Sequence, residues 1–163
     1  MGSIDEIYTA FNNIPWFSGL KEDHLKEIAK ISHLRHFKSG ERFFQEGDKQ
    51  DYIYVLTDGR VALDMFVPHR GKLRFSTIEE WDVFGWSSVT PGIHQRTAGA
   101  VAVLDGTVLA TDAEKLRQLC EKDHDLGYLV MRRLAGVVAS RLMETRLQLL
   151  DMFGEPTENK NDQ

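Results

Sequence analysis

The 163 residues carry 20 Lys and Arg against 25 Asp and Glu, a net charge of −5, with 42% apolar and 28% charged residues. That is the composition of one ordinary globular domain, and it argues against a general nucleic-acid binder, which needs a concentrated basic face. No window approaches the roughly 18 uninterrupted apolar residues of a membrane helix, and "MGSIDEIYTAFNNIPWF" lacks the basic-then-apolar layout of a signal peptide. Glu6 stands where a myristoylation motif needs Ser or Thr. A single cysteine, Cys120, cannot form an internal disulfide, so a cytoplasmic setting with no membrane partner is expected.

The first part of the chain, residues 11–35, reads as helical. In "SGLKEDHLKEIAKISHL", Leu20, Leu25, Ile28, Ala29 and Ile31 fall at spacings that suit one buried face, with Ser18 as the expected N-cap. From 36 to 111 the texture changes to short runs rich in β-branched and aromatic residues: "YIYVL", "RVALDMFV", "LRFSTI", "TAGAVAV" and "TVLAT". Glycines recur between them, and many short strands with glycine turns point to a sandwich or barrel. "TDG" at 57–59 predicts a tight turn, and "HRGK" at 69–72 a hairpin tip.

From 112 to 153 the pattern is helical again. Thr111 or Asp112 is placed to cap "AEKLRQLCEK". A proline-free run from about 124 to 153 follows, in which Leu126, Val130, Leu134, Val137, Val138, Leu142, Leu149 and Met152 form one stripe. About 28 residues make roughly 42 Å of helix, whereas a domain of this size is only about 40 Å across. The helix must span or overhang the β part. It either packs on its own domain or finds a second copy; the overhang favours a homodimer seamed by Val130, Leu134, Val137, Val138, Leu142 and Leu149. Residues 154–163 are polar and expected to be disordered.

One stretch carries chemistry. "DVFGWSSVTPGIHQRTAGAV" places a glycine and small hydroxyl residues ahead of Arg-Thr-Ala. Arg96 offers a planar fork for two phosphate or carboxylate oxygens. Gly85 permits a left-handed backbone, Ser87 and Ser88 add hydroxyls, and Thr97 and Ala98 offer backbone N–H groups. This is a site for a small anion of unstated identity. The bland alternative is an arginine paired with a neighbouring acid and glycines that only make turns. Trp86 points either inward, filling the site, or outward, as a core or interface residue.

The order of motifs resembles the cyclic-nucleotide-binding domains, and most of all the effector half of catabolite-activator-type (Crp/Fnr) regulators. The carrying residues are Gly40-Glu41, Glu46-Gly47-Asp48, the strand Tyr52 to Leu56, Gly59, Phe84-Gly85 and Arg96-Thr97-Ala98, followed by the terminal helices. The resemblance implies a mainly β fold, a jelly-roll β-roll with an N-terminal helix and a long C-terminal dimerisation helix. It also implies that the position of Trp86 is normally a Glu that accepts from the ribose 2′-hydroxyl. Loss of such an acceptor costs on the order of 1–3 kcal/mol, about 10- to 100-fold in affinity, so weak binding of cAMP and cGMP is expected. In some members a Thr on the long helix contacts the base; Thr145 is similarly placed and is open to that role or to the dimer seam.

Those regulators continue into a helix-turn-helix, for which about ten residues after the long helix are too few, so DNA binding is not expected. The chain reads as a stand-alone regulatory sensor or, if the pocket is degenerate, as a dimeric module holding an unidentified protein partner. No catalytic constellation, metal site or cofactor is legible. His33 and His36 would suit a metal only on a helix, and Arg132, Arg133, Arg141 and Arg146 read as a solvated face.

Overall fold

A computed structural model describes residues 4–49 and 51–153. The expected disorder of 154–163 and the side chain of Met152 lie outside the described residues. Helices α1 (Ile4–Asn13) and α2 (Glu22–Lys30) lead into strands β1 (Ser32–Phe37), β2 (Arg42–Phe44), β3 (Tyr52–Val67), β4 (Gly71–Ile78), β5 (Val83–Phe84) and β6 (Gly99–Asp112). Helices α3 (Ala113–Lys122) and α4 (His124–Phe153) close the chain. All pairings are antiparallel, in the order β1-β6-β3-β4, with β2 on β6 and β5 on β3. The mainly β roll with flanking helices is the architecture that the sequence predicts.

The alternation of β3 divides the core. Ile53 and Val55 point to one side, into a cluster with Ile7, Phe11, Phe17, Ile28, Leu109, Leu116, Leu126 and Val130 beneath the helices. Tyr54 and Leu56 point to the other, into the roll interior with Phe37, Phe44, Val61, Ile78, Phe84 and Val108. The helices are thus fastened to one face of the roll, while aromatic side chains fill its inside.

Several local expectations change. Helix α1 begins before residue 11, because Ile7 and Phe11 make an i,i+4 apolar pair. Ser18 is not the cap of α2: Lys21 is, without a side-chain bond, and Gly19 turns the chain first at φ +75°. The TDG sequence makes no reversal. Strand β3 runs on through it with shifted register against β6, and Gly59 lies against Gly106. A Cβ on Gly59 would sit 2.5 Å from the Asp105 carbonyl oxygen, and one on Gly106 2.1 Å from that of Asp58. These glycines serve close backbone approach in a bulge. The hairpin at HRGK forms as expected, with Val67 opposite Gly71.

Asp112, not Thr111, caps α3 by accepting from the Lys115 N–H at 2.9 Å. Within α4, Leu126, Val130 and Leu134 are buried in the chain's own core. Val130 and Leu134 are therefore withdrawn from the expected dimer seam. Val137 and Val138 are half-buried, and from there the helix leaves the roll, with Leu142 69% exposed and Leu149 also exposed.

Candidate functional site

The Gly85-to-Arg96 motif is built where β5 ends. Gly85 adopts φ +72° and starts a 3₁₀ turn, Trp86–Val89, with Ser87 and Ser88 both buried. The Ser88 hydroxyl donates back to the Gly85 carbonyl at 2.7 Å. The chain then loops out through exposed Pro91, Gly92 and His94 and returns at Arg96. The Glu46-Gly47-Asp48 turn holds that return: the Arg96 N–H donates to the Asp48 carbonyl at 3.0 Å, and the Gly47 N–H donates to the Arg96 carbonyl at 2.8 Å. Two glycine-bearing motifs far apart in the chain thus form one unit.

Arg96 is 3% exposed. Its Nη1 donates to the Gly85 carbonyl at 2.8 Å and its Nη2 to the Tyr52 carbonyl at 2.7 Å. The guanidinium carbon lies 4.1 Å from the Phe44 ring centroid, a cation–π contact. The buried Nε has no acceptor among the described residues. Burial pulls the guanidinium below its ordinary pKa, against the opposing pull of Tyr54, Asp51 and Asp48. The partners are carbonyls rather than the acid of the bland alternative. Gly85 is required by this packing, since a Cβ there would sit 2.7 Å from Nη1.

The other expected residues divide. Trp86 is half-buried and, like Trp81, packs against the helix-side core, whereas Phe44, on which Arg96 lies, belongs to the roll interior. Thr97 is exposed and Ala98 half-buried beside Arg96. The Thr145 hydroxyl donates to the Arg141 carbonyl one turn back on α4, at 2.8 Å. The larger clefts also lie elsewhere. One of about 430 Å³ opens between His24 on α2 and the α3–α4 elbow, and one of about 530 Å³ runs along α3, α4 and Val89 to Pro91. Arg96 lines neither.

Some functional contacts were invisible in the sequence. Phe44 and Tyr52 reach Arg96 only through strand pairing. Arg141, read as part of a solvated face, has a side chain only 11% exposed. Its Nη1 donates to the Ser76 hydroxyl on β4 at 2.9 Å and to Glu144 at 2.8 Å, and its Nη2 lies 3.7 Å from Asp82. Burial raises the Glu144 carboxyl, but the bonds from Ser76 and Arg141 outweigh it and leave the pKa below the ordinary value. Arg133 is half-buried and donates to the Trp16 and Ser18 carbonyls. The i,i+3 pair Arg141/Glu144 was the available signal, but a helix-surface pair and a helix-to-strand clasp look alike in sequence. His33 and His36 sit on β1, where residues three apart point to opposite faces, so they share no metal.

A second buried ion pair also escaped the sequence. Arg42 on β2 grips Asp64 on β3 with bonds of 3.1 and 2.8 Å. A Cβ on Gly99 would fall 2.1 Å from the Asp64 carboxylate.

With this geometry in view, the comparisons are specific. A solved cyclic nucleotide-binding domain from Methylobacillus flagellatus KT superposes with a TM-score of 0.76, at 21% identity over 94% of this chain and 86% of that one, a likeness of fold. The catabolite activator protein of Thermus thermophilus superposes with a TM-score of 0.66 at 27% identity, over 85% of this chain and 62% of that one. An uncharacterized NTE family protein of Mycobacterium tuberculosis is 28% identical over 130 residues, covering 80% of this chain and 21% of the relative, so the chain spans about a fifth of that protein. Residues 34–123 match the family described as the cyclic nucleotide-binding domain, a span that holds the roll, the glycine turn and Arg96. The chain therefore belongs to the cyclic nucleotide-binding domain family, with a β-roll of the catabolite-activator type.

Proposed function

We propose that the chain is a regulatory module that senses a small anionic ligand through Arg96, binds cAMP and cGMP weakly, and works as a cytoplasmic homodimer paired along the second half of α4. One observation carries the ligand reading: a buried guanidinium that meets carbonyls rather than an acid and, among the described residues, keeps an Nε without an acceptor. An uncompensated buried charge is costly, and an anion drawn beside it recovers part of that cost. Gly85, Ser87, Ser88, Thr97 and Ala98 are the residues that would line the ligand. The indole of Trp86 replaces the ribose-gripping acid, which is why the cyclic mononucleotides bind weakly in this reading. Neither catalysis nor DNA recognition is part of it.

A second reading rests on the same contact. Both Nη groups are already bonded within the chain, as in a purely structural arginine, which would leave a dimeric interaction module for a protein partner. Thermal shift separates the two. A ligand at about a hundredfold its Kd stabilises by about 2.7 kcal/mol. In the sensor reading cAMP, cGMP or inorganic phosphate raises the Tm of the wild type at high concentration. Arg96→Lys, which keeps the charge but loses the fork, and Arg96→Ala lose that response. If no anion moves the Tm of the wild-type chain, the sensor reading fails.

A further inference from the structure

The outer half of the β3–β4 hairpin departs from the charge of the rest of the chain. Residues 65–78, "MFVPHRGKLRFSTI", contain Arg70, Lys72 and Arg74 and no acid, in a chain of net charge −5. The pairing of the strands sorts these side chains. Phe66 lies opposite Lys72, and Asp64 opposite Arg74, so Phe66, Lys72 and Arg74 share one face. Asp64 is no counter-charge for Arg74, because Arg42 holds both of its oxygens. The other nearby acid, Glu46, lines a hollow with Phe66 and Lys72 near the tip and accepts from the Phe66 backbone N–H at 3.1 Å, without an ion pair to Lys72 among the described residues, so three cations face one acid not held by another cation. Arg70, Lys72 and Arg74 are exposed and make no ion pair among the described residues. Phe66, an aromatic ring 63% exposed, is followed by half-buried Val67 and exposed Pro68 at the turn. Strand β4 lies at the end of the sheet order, so the hairpin is an edge.

We propose that this hairpin tip docks on an anionic bilayer surface, with Phe66 and Pro68 entering the headgroup layer and Arg70, Lys72 and Arg74 forming a cationic collar. The charge is complementary to acidic phospholipid and opposite to that of the chain as a whole. The shape selects the bilayer over a folded partner. A stable protein interface buries about 800 Å² on each side, more than a hairpin tip of a few residues presents, whereas a lipid surface receives a narrow convex wedge without matching its shape. An aromatic ring with an adjoining proline at the tip also suits the headgroup boundary, where apolar side chains enter and cations stay outside.

The test is co-sedimentation of the full chain with vesicles of phosphatidylcholine alone and of phosphatidylcholine with phosphatidylserine. Binding is expected only with phosphatidylserine, and high salt should weaken it. Each cation near such a surface is worth about fivefold in partitioning. The triple variant Arg70→Gln, Lys72→Gln and Arg74→Gln should therefore bind about a hundredfold more weakly while keeping the wild-type Tm. Phe66→Trp should report insertion by a blue shift of its emission on the acidic vesicles, relative to the wild-type protein treated the same way. Three outcomes overturn the proposal: no sedimentation with phosphatidylserine at low salt, binding unchanged in the triple variant, or no blue shift together with equal capture by an oligonucleotide. The last would assign the hairpin to nucleic acid.

Discussion

Arg96 shows how little a residue type says about its environment until its neighbours are placed. The fork of donors that suits an anion suits two backbone carbonyls equally well, and the fold supplies those of Gly85 and Tyr52. What remains distinctive is the missing acid. Trp86, which the sequence left open between filling the site and joining the core, packs half-buried against the helix-side core. Cys120 is decided by burial. Desolvation pushes its thiol up to about 11, helped by Asp123 and Glu121, so little thiolate exists at neutral pH. Alkylation by iodoacetamide at pH 8 should run about a hundredfold slower in the folded chain than in urea; equal rates would contradict this burial.

At the scale of elements, α4 is two helices in function. Its first half is core: Leu134 is 4% exposed, and Leu134→Ala should destabilise by about 2–5 kcal/mol, lowering the Tm by on the order of 10 °C in a calorimetric scan. The elbow between α3 and α4 is held by Asp123, which accepts from the Leu126 N–H at 3.1 Å and lies 2.9 Å from His24 Nε2. The Leu126 N–H is the main cause holding the Asp123 carboxyl below its ordinary pKa; slight burial opposes it and His24 adds to it. A carboxylate depressed in the folded state stabilises at pH above its unfolded value, and that contribution is lost as pH falls through the folded value. Asp123→Ala should thus melt below the wild type at pH 7, and the gap should close below about pH 4; a gap that persists in acid would assign the effect to packing alone. The clasp of Ser76, Arg141 and Glu144 ties α4 to β4 where the apolar side chains of α4 turn exposed.

For the molecule as a whole, the second half of α4 exposes Leu142, Met143, Leu147, Leu149, Leu150 and Phe153. A monomer rarely leaves so much apolar surface on one helix uncovered. Pairing with a second copy should bring the chain to twice its mass by analytical ultracentrifugation at micromolar concentration. Leu142→Asp with Leu149→Asp should return it to the monomer with its β-sheet circular dichroism intact, and a wild-type chain that is monomeric throughout would remove the dimer. The sequence by itself determined a domain of many short strands, the hairpin at Val67 to Gly71 and the long terminal helix, and the family resemblance made those strands a β-roll. Strands, hairpin and helix are each written in local periodicity, turn chemistry or spacing, all of which act between near neighbours. Only the tertiary structure decided that Gly59 and Gly106 serve a bulge, that Val130 and Leu134 face inward, that Arg141 is a clasp, and that Arg96 spends its donors on Gly85 and Tyr52. Those outcomes depend on which strand lies beside which, and pairing across 44 residues, as between Tyr52 and Arg96, leaves no periodic trace in the chain.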